Sequence, residues 1–242
     1  MPLFAYDLHI HTCLSPCGDE AMSPPNIANM AFLKGLDLIA VTDHNSARNV
    51  RAAIAAARDL PLTVIPGIEV TTAEEIHMVC LFPDAESAER AGAYFESLLP
   101  PVKNRPGFFG AQWIVDENEK ILGEFPYLLP NALRISIDDL PEAVSGFGGL
   151  CFPAHIDRAS NSLLSVFGSL PERPVFRVLE VHGPAAFFSK PENKKLLESH
   201  FILTSSDAHR LSDILERERF LELERPDFHS LKLALMGEKG TK

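Results

Sequence analysis

His9 and His11 stand two residues apart in Tyr6-Asp7-Leu8-His9-Ile10-His11-Thr12, a stretch that alternates polar and apolar side chains. On a β-strand, residues i and i+2 point to the same face. The two imidazoles therefore project together, with Leu8 and Ile10 packing on the other side. A pair of imidazoles fixed to one strand can hold a divalent metal ion, because neutral imidazole is a common ligand for such ions. Two unrelated histidines would show the same spacing, so the pair alone does not separate a metal site from chance.

Other histidines and carboxylates fall at comparable places. His44 follows the apolar run 36–41, in Thr42-Asp43-His44. Glu69 and His77 lie within the apolar runs 68–71 and 76–82, and His155 follows the run 149–154. Asp207 and His209 follow the run 201–205 and repeat the paired spacing of the first stretch. With Asp19 in the first loop these make nine candidate ligands, and they use six of the nine histidines in the chain. One ion takes about four to six ligands, so this set suits two or three. A carboxylate such as Glu69 can bridge two ions, whereas imidazole cannot. Mixed nitrogen and oxygen donors suit manganese, zinc or iron better than calcium or magnesium. Cys13 and Cys17 also lie near the histidine pair. A thiolate ligand is an open reading there, although Cys-x3-Cys is not a zinc-knuckle spacing.

For these side chains to meet, the segments that carry them must lie side by side and end together. Ser23 caps a helix that opens at Pro24-Pro25, places Ile27, Met30, Ala31 and Lys34 on one face, and stops at Gly35. An alanine-rich helix spans about 47–59. Strands are predicted at 36–41, 62–71, 76–82, 149–154, 178–181, 201–205 and 220–224, and a last helix runs from Pro226-Asp227 to Met236. Apolar strands alternating with helices predict a parallel sheet with helical crossovers. Seven or eight strands are enough to close a barrel, whose strand ends converge on one site at the C-terminal face. One domain over residues 1–242 is expected, with an insertion at about 84–148. That insertion contains a helix at 84–99, a proline-broken loop, a β-hairpin at 112–122 and a helix at 136–145.

Asp7-Leu8-His9-Ile10-His11-Thr12, Thr42-Asp43-His44, Pro66-Gly67-Ile68-Glu69, Pro153-Ala154-His155-Ile156-Asp157-Arg158 and Ser206-Asp207-Ala208-His209 occur in that order. Together they resemble the motifs of the polymerase-and-histidinol-phosphatase (PHP) family of metal-dependent phosphoesterases, across essentially the whole chain. The resemblance implies an α/β fold, a distorted (β/α)7 barrel with a trinuclear metal site at the C-terminal ends of the strands. By that resemblance His9, His11, Glu69 and Asp207 hold the first ion, and Glu69, His77 and His155 the second. Asp19, His44 and His209 hold the third. Many members carry Ser-Asp-Gly about five residues after the histidine pair. Three extra residues intervene in this chain, and Asp19 is aligned by counting back from Ser23-Pro24.

The chemistry implied is hydrolysis of a phosphate ester by metal-activated hydroxide, with Glu69 and Asp207 at the catalytic centre. Arg158 and Arg210 each follow a ligand motif closely, and a guanidinium fork matches phosphate geometry. His182 ends a strand, where it can act as general acid or contact substrate. Glu180, two residues earlier, is placed to orient a ligand. The net charge of −11 disfavours a grip on long nucleic acid through its phosphates, while small anions remain open because bound cations invert the local field. No apolar run is long enough to span a bilayer, and no leader with a cleavage site is seen. Four cysteines suit a reduced, cytoplasmic setting.

The expected partner is a small phosphorylated molecule, with no membrane contact and the oligomeric state open. The expected activity is cleavage of a nucleotide or metabolite phosphomonoester. The alternative is a nuclease-like phosphodiesterase or exonuclease on short oligonucleotides or nucleoside bisphosphates. An amidohydrolase-type C–N hydrolase ranks third, because Glu69 takes the bridging position where that class uses a carboxylated lysine. A non-catalytic, metal-binding regulatory barrel ranks fourth.

Overall fold

The apolar runs become strands in the computed structural model, which describes residues 1–237. They are β1 (Leu3–Ile10), β2 (Leu38–Val41), β3 (Thr63–Thr71), β4 (His77–Leu81), β5 (Trp113–Val115), β6 (Ile121–Glu124), β7 (Leu150–Pro153), β8 (Val178–Glu180), β9 (Phe201–Leu203) and β10 (Phe220–Glu222). Six of them share one curled sheet in the order β10-β1-β2-β3-β4-β7, and β8 pairs in parallel with β9. Isolated bonds extend the curl at both seams. The Ile156 amide donates to the Glu180 carbonyl beside β7, and Ile10 bridges Ala208 beyond β9 in parallel register. The result is a mixed α/β fold with a curled, half-barrel sheet.

Burial explains the curl. Tyr6 and Leu8, Leu38 and Ala40, Ile65, Val79 and Leu81, Leu150 and Phe152, Val178 and Leu203 all enter one inner cluster. Phe228, Leu231 and Leu235 of the helix Phe228–Met236 join them. On the outer face, Ala5, Ile39, Val41 and Val64 pack against Ile27, Ala28 and Ala31 of the helix Pro24–Leu33. That helix starts where predicted: the Ser23 side chain accepts from the Asn26 amide and Pro24 fills the first turn. The predicted helix at 47–59 is shorter, Val50–Ala56, because Asn49 is held in the loop by bonds to Thr12 and Val115. No helix among the described residues is long and apolar enough to cross a membrane.

Two expectations change. The pairing of β1 with β2 runs Tyr6↔Leu38, Asp7↔Ile39 and then Ile10↔Val41, which leaves one extra residue on β1. A bulge of this kind re-aims the side chains that follow it. Leu8 therefore enters the inner cluster and Ile10 the outer one, so they do not pack on one side. Second, the parallel rhythm breaks: β4 is antiparallel to both β3 and β7. The link of residues 72–76 is too short for a crossover. It closes as a hairpin instead, with Thr72 and Ile76 bonded and Glu75 at a φ of 63°. Because β4 runs backwards, its first residue, His77, lies at the end of the sheet where β1, β2 and β3 finish. The segment 84–148 holds the expected β5–β6 hairpin, and its helix Ala85–Leu98 buries Ala88, Ala91 and Phe95 against Ile68, Val70 and Met78.

Phe152 has no exposed surface and lies in the inner cluster. Phe152→Ala is expected to lower the unfolding free energy by about 3–5 kcal/mol, measured by urea denaturation. A loss below about 1 kcal/mol would mean that this cluster does not hold the sheet closed.

Candidate metal centre

Glu69 projects from β3 into a ring of imidazoles and is fully buried. Its Oε1 lies 2.9 Å from His77 Nδ1, 3.1 Å from His155 Nε2 and 3.2 Å from His9 Nε2. Its Oε2 lies 2.9 Å from His44 Nδ1 and 3.4 Å from His11 Nε2. Five imidazoles cannot all donate well-aligned hydrogen bonds to one carboxylate. His44 Nδ1 and Glu69 Oε2 are both without a hydrogen-bond partner, although they are close. Buried polar atoms left in this state are costly, unless a cation takes the lone pairs instead.

Asp207 completes the arrangement. Its Oδ1 lies 3.1 Å from His11 Nε2 and 3.4 Å from His9 Nε2, and the two Nε2 atoms are 3.3 Å apart. Ligand atoms of His9, His11, Glu69 and Asp207 all lie within 4.8 Å of one another. The same holds for His44, Glu69 and His77, and for His11, His44 and His209. These donor sets fit divalent cations of the manganese, iron and zinc class.

The surrounding residues set the tautomers. Glu180 Oε1 lies 2.9 Å from His9 Nδ1 and also accepts from the His155 amide. A carboxylate accepts, so Nδ1 carries the proton and the Nε2 lone pair faces inward. Ser15 gives its one proton to Asp43 at 2.7 Å, so it accepts from His11 Nδ1 at 3.0 Å and frees His11 Nε2 in the same way. Asp43 is held by the Thr12 amide and hydroxyl, each at 2.7 Å. His209 Nδ1 donates to the Asp207 carbonyl at 2.8 Å, which leaves its Nε2 as an acceptor. The backbone is forced at the same places. His155 (φ 28°), Asp207 (φ 52°) and Asn45 (φ 51°) occupy the left-handed region, a conformation that non-glycine residues hold only where the surroundings impose it.

The electrostatics call for positive charge. Burial alone would lower His9, but the carboxylates of Glu180, Asp207 and Glu69 outweigh it and hold the imidazole well above the usual histidine range. Burial would raise Glu69, but the imidazoles of His77, His9 and His44 hold it well below the usual carboxylate range. Asp207 is held down in the same sense by His9 and His11, against the effect of burial. Burial pushes the His11 and His44 imidazoles down, with the neighbouring histidines adding to it.

Eight of the nine predicted ligands therefore meet. Asp19 does not: it is exposed, and its Oδ1 accepts from the Ala21 amide at 2.9 Å within its own loop. Cys17, also exposed, faces His44 and His209 instead, with its Sγ 3.3 Å from His44 Nε2 and 3.1 Å from His209 Nε2. Arg210 is also absent from the site; it is exposed and precedes the short turn Leu211–Asp213. Arg158 does arrive, with Nη1 at 2.7 Å from Asp207 Oδ2. His182 is exposed at the mouth of a cavity of about 430 Å³, which Arg158, Ser206, Asp207, His209 and Arg219 also line. Nothing in the sequence marks Arg219. It is delivered by the antiparallel pairing of β10 with β1, where the Tyr6 amide bonds the Arg219 carbonyl.

The chain is similar to known proteins over part or all of its length. The 5′-3′ exoribonuclease Rnm of Escherichia coli (strain K12) is 38% identical over 85 residues, which are 31% of this chain and 27% of that protein. The chain thus spans less than a third of the length of the exoribonucleases it matches. Among solved structures, the lesion-specific endonuclease EndoQ of Pyrococcus furiosus has a TM-score of 0.68 at 20% identity, covering 99% of this chain and 57% of the other. A second structure of Endonuclease Q, with a TM-score of 0.63, holds a 27-mer duplex substrate with an abasic lesion at the active site. A protein of Bifidobacterium adolescentis, provisionally assigned as a metal-dependent phosphoesterase, has a TM-score of 0.57 at 17% identity and covers 97% of this chain and 96% of its own. These likenesses establish the fold. Relatives named for work on RNA and DNA also overturn the expectation that only a small phosphorylated partner suits such a chain. The sequence pattern of the PHP domain matches residues 7–129, just over half of the 242 residues. On that match the chain belongs to the PHP domain family.

Proposed function

We propose that this chain is a metal-dependent phosphoesterase that cleaves phosphodiester bonds of nucleic acid. Two or three divalent cations (manganese, zinc or iron) would be held by His9, His11, His44, Glu69, His77, His155, Asp207 and His209. The observation that carries this reading is Glu69, one buried carboxylate faced by five imidazoles with two polar atoms left unpaired. Cations held there supply Lewis acidity toward a phosphate ester.

The chain's own residues supply the rest. Glu180 and the Ser15–Asp43 pair fix the ring orientations of His9 and His11. Arg158 and Arg219 line the cavity beside Asp207 and bind nonbridging phosphate oxygens, a role that suits a planar guanidinium. His182 at the cavity mouth holds a proton for the leaving oxygen. Nucleic acid as substrate is supported by relatives named as exoribonuclease and endonuclease. The charge of −11 does not oppose it, because that value averages the whole surface. The cavity sets Arg158 and Arg219 beside Asp207 and Asp213, and bound cations would tip that balance toward positive charge.

Metal-loaded protein assayed on end-labelled single-stranded RNA and DNA, duplex DNA and p-nitrophenyl phosphate tests the reading. Cleavage of a polynucleotide is expected; turnover of the monoester alone would remove nucleic acid as substrate. Glu69→Gln is expected to lower kcat on the order of 10²–10³-fold with an unchanged far-ultraviolet spectrum. Full activity and full metal content in that variant would sink the metal centre. Glu180→Gln, which leaves His9 without its anchoring carboxylate, is expected to weaken metal affinity or activity by about 10–100-fold, followed by metal titration.

A further inference from the structure

Cys17 lies where a ligand is called for. The loop that carries it is rigidly tied. The Ser15 amide bonds the Thr12 carbonyl, and the Gly18 amide bonds the Ser15 carbonyl at 2.8 Å. A Cβ at Gly18 would stand 2.7 Å from the Thr12 carbonyl oxygen, so this turn requires glycine. A Cβ at Gly110 would collide with the Pro16 carbonyl, which places the segment after the helix Pro106–Phe109 directly against the same loop. The loop is also bonded to both facing histidines. The His44 amide donates to Ser15 Oγ at 3.2 Å, and the Asp19 amide donates to the His209 carbonyl at 2.8 Å. Cys17 Sγ is thereby brought to 3.3 Å from His44 Nε2 and 3.1 Å from His209 Nε2.

His209 Nε2 is the acceptor nitrogen of its ring, because Nδ1 donates to the Asp207 carbonyl. His44 is 5% exposed; its Nδ1 lies 2.9 Å from Glu69 Oε2 and its Nε2 faces Cys17, so the ring joins the Glu69 cluster to the Cys17 loop. Two imidazole nitrogens and one sulfur around a tetrahedral zinc would lie about 3.5 Å apart, given bonds of about 2.0–2.1 and 2.3 Å. The two sulfur–nitrogen separations, 3.3 and 3.1 Å, are slightly shorter than that. Asp19, the residue that the family pattern points to, uses its carboxylate on the Ala21 amide instead. Cys13, the other cysteine of the loop, is buried with its Sγ near the Trp113 carbonyl.

We propose that Cys17, rather than Asp19, is the ligand that completes a cation position with His44 and His209, making it a thiolate-containing site. Thiolate favours zinc, cobalt or ferrous iron over magnesium and manganese. One position of the centre is then softer than the rest, and its cation is chosen separately from those on Glu69. This rests on the reading of the cluster as a metal centre.

The test uses the full chain, stripped with chelator and reloaded with cobalt(II). Wild type and Asp19→Asn are expected to show the sulfur-to-cobalt charge-transfer band in the near ultraviolet. Cys17→Ser is expected to lose that band while keeping the visible bands of cobalt on histidine and carboxylate. By elemental analysis, zinc-loaded Cys17→Ser is expected to hold one cation fewer than wild type, and Cys17→Asp to regain it with an increased preference for manganese. Cobalt bound without the charge-transfer band, a band that survives Cys17→Ser, or loss of a cation in Asp19→Asn alone would each overturn the assignment while leaving the metal centre standing. Failure of cobalt to bind at all would overturn both.

Discussion

Everything at the centre depends on one buried carboxylate. Taking an isolated carboxylate out of water costs several kcal/mol unless opposite charge or hydrogen bonds replace the solvent. Glu69 has one aligned hydrogen bond, with His155 Nε2 at 3.1 Å. Its two oxygens face five imidazoles, too many to act as donors and too polar to act as packing. Cations held by these residues would turn crowding into coordination, because each imidazole could then offer a lone pair in place of a proton. The hydrogen bonds behind the rings agree, because Glu180, Ser15 and the Asp207 carbonyl each take the outer nitrogen and leave the inner one bare.

The sheet is shaped to serve that carboxylate. Glu69 sits on β3, so its ligand partners must come from strands on both sides. The bulge in β1 lets His9 and His11 converge even though Leu8 and Ile10 separate to opposite faces. The hairpin between β3 and β4 brings His77 in from the start of a strand, while His44, His155 and Asp207 arrive from the ends of others. Left-handed backbone at His155 and Asp207 holds those side chains in place, a local cost that the packed inner cluster can bear.

Net charge is a poor guide to such a surface. The acidic excess is a property of the whole chain, whereas a ligand meets one cavity, in which Arg158 and Arg219 stand beside Asp207, His209 and Asp213. An arginine that comes from a strand edge contributes to that field without belonging to any motif. The charge balance pointed toward small substrates, whereas relatives of this chain are named as nucleases.

Much of this was written in the chain itself. Strand positions follow from apolar runs, since burial on both faces demands them, and residues at the ends of neighbouring strands must meet whatever the details of curvature. That is why His9, His11, His44, Glu69, His77, His155, Asp207 and His209 could be read together, and why their chemistry could be named. The remainder needed three dimensions. Strand direction at β4 was decided by a link too short to cross over, and the β1 bulge by pairing with β2. Asp19 and Cys17 lie two residues apart in one loop, where no periodicity fixes which side chain turns inward. The Gly18 turn and the bonds to His44 and His209 decide it. Arg219 owes its place to an antiparallel edge strand. Sequence determines what regular burial requires; where a loop turns, or a distant strand docks, the direction of a side chain is set by contacts that only the folded chain can make.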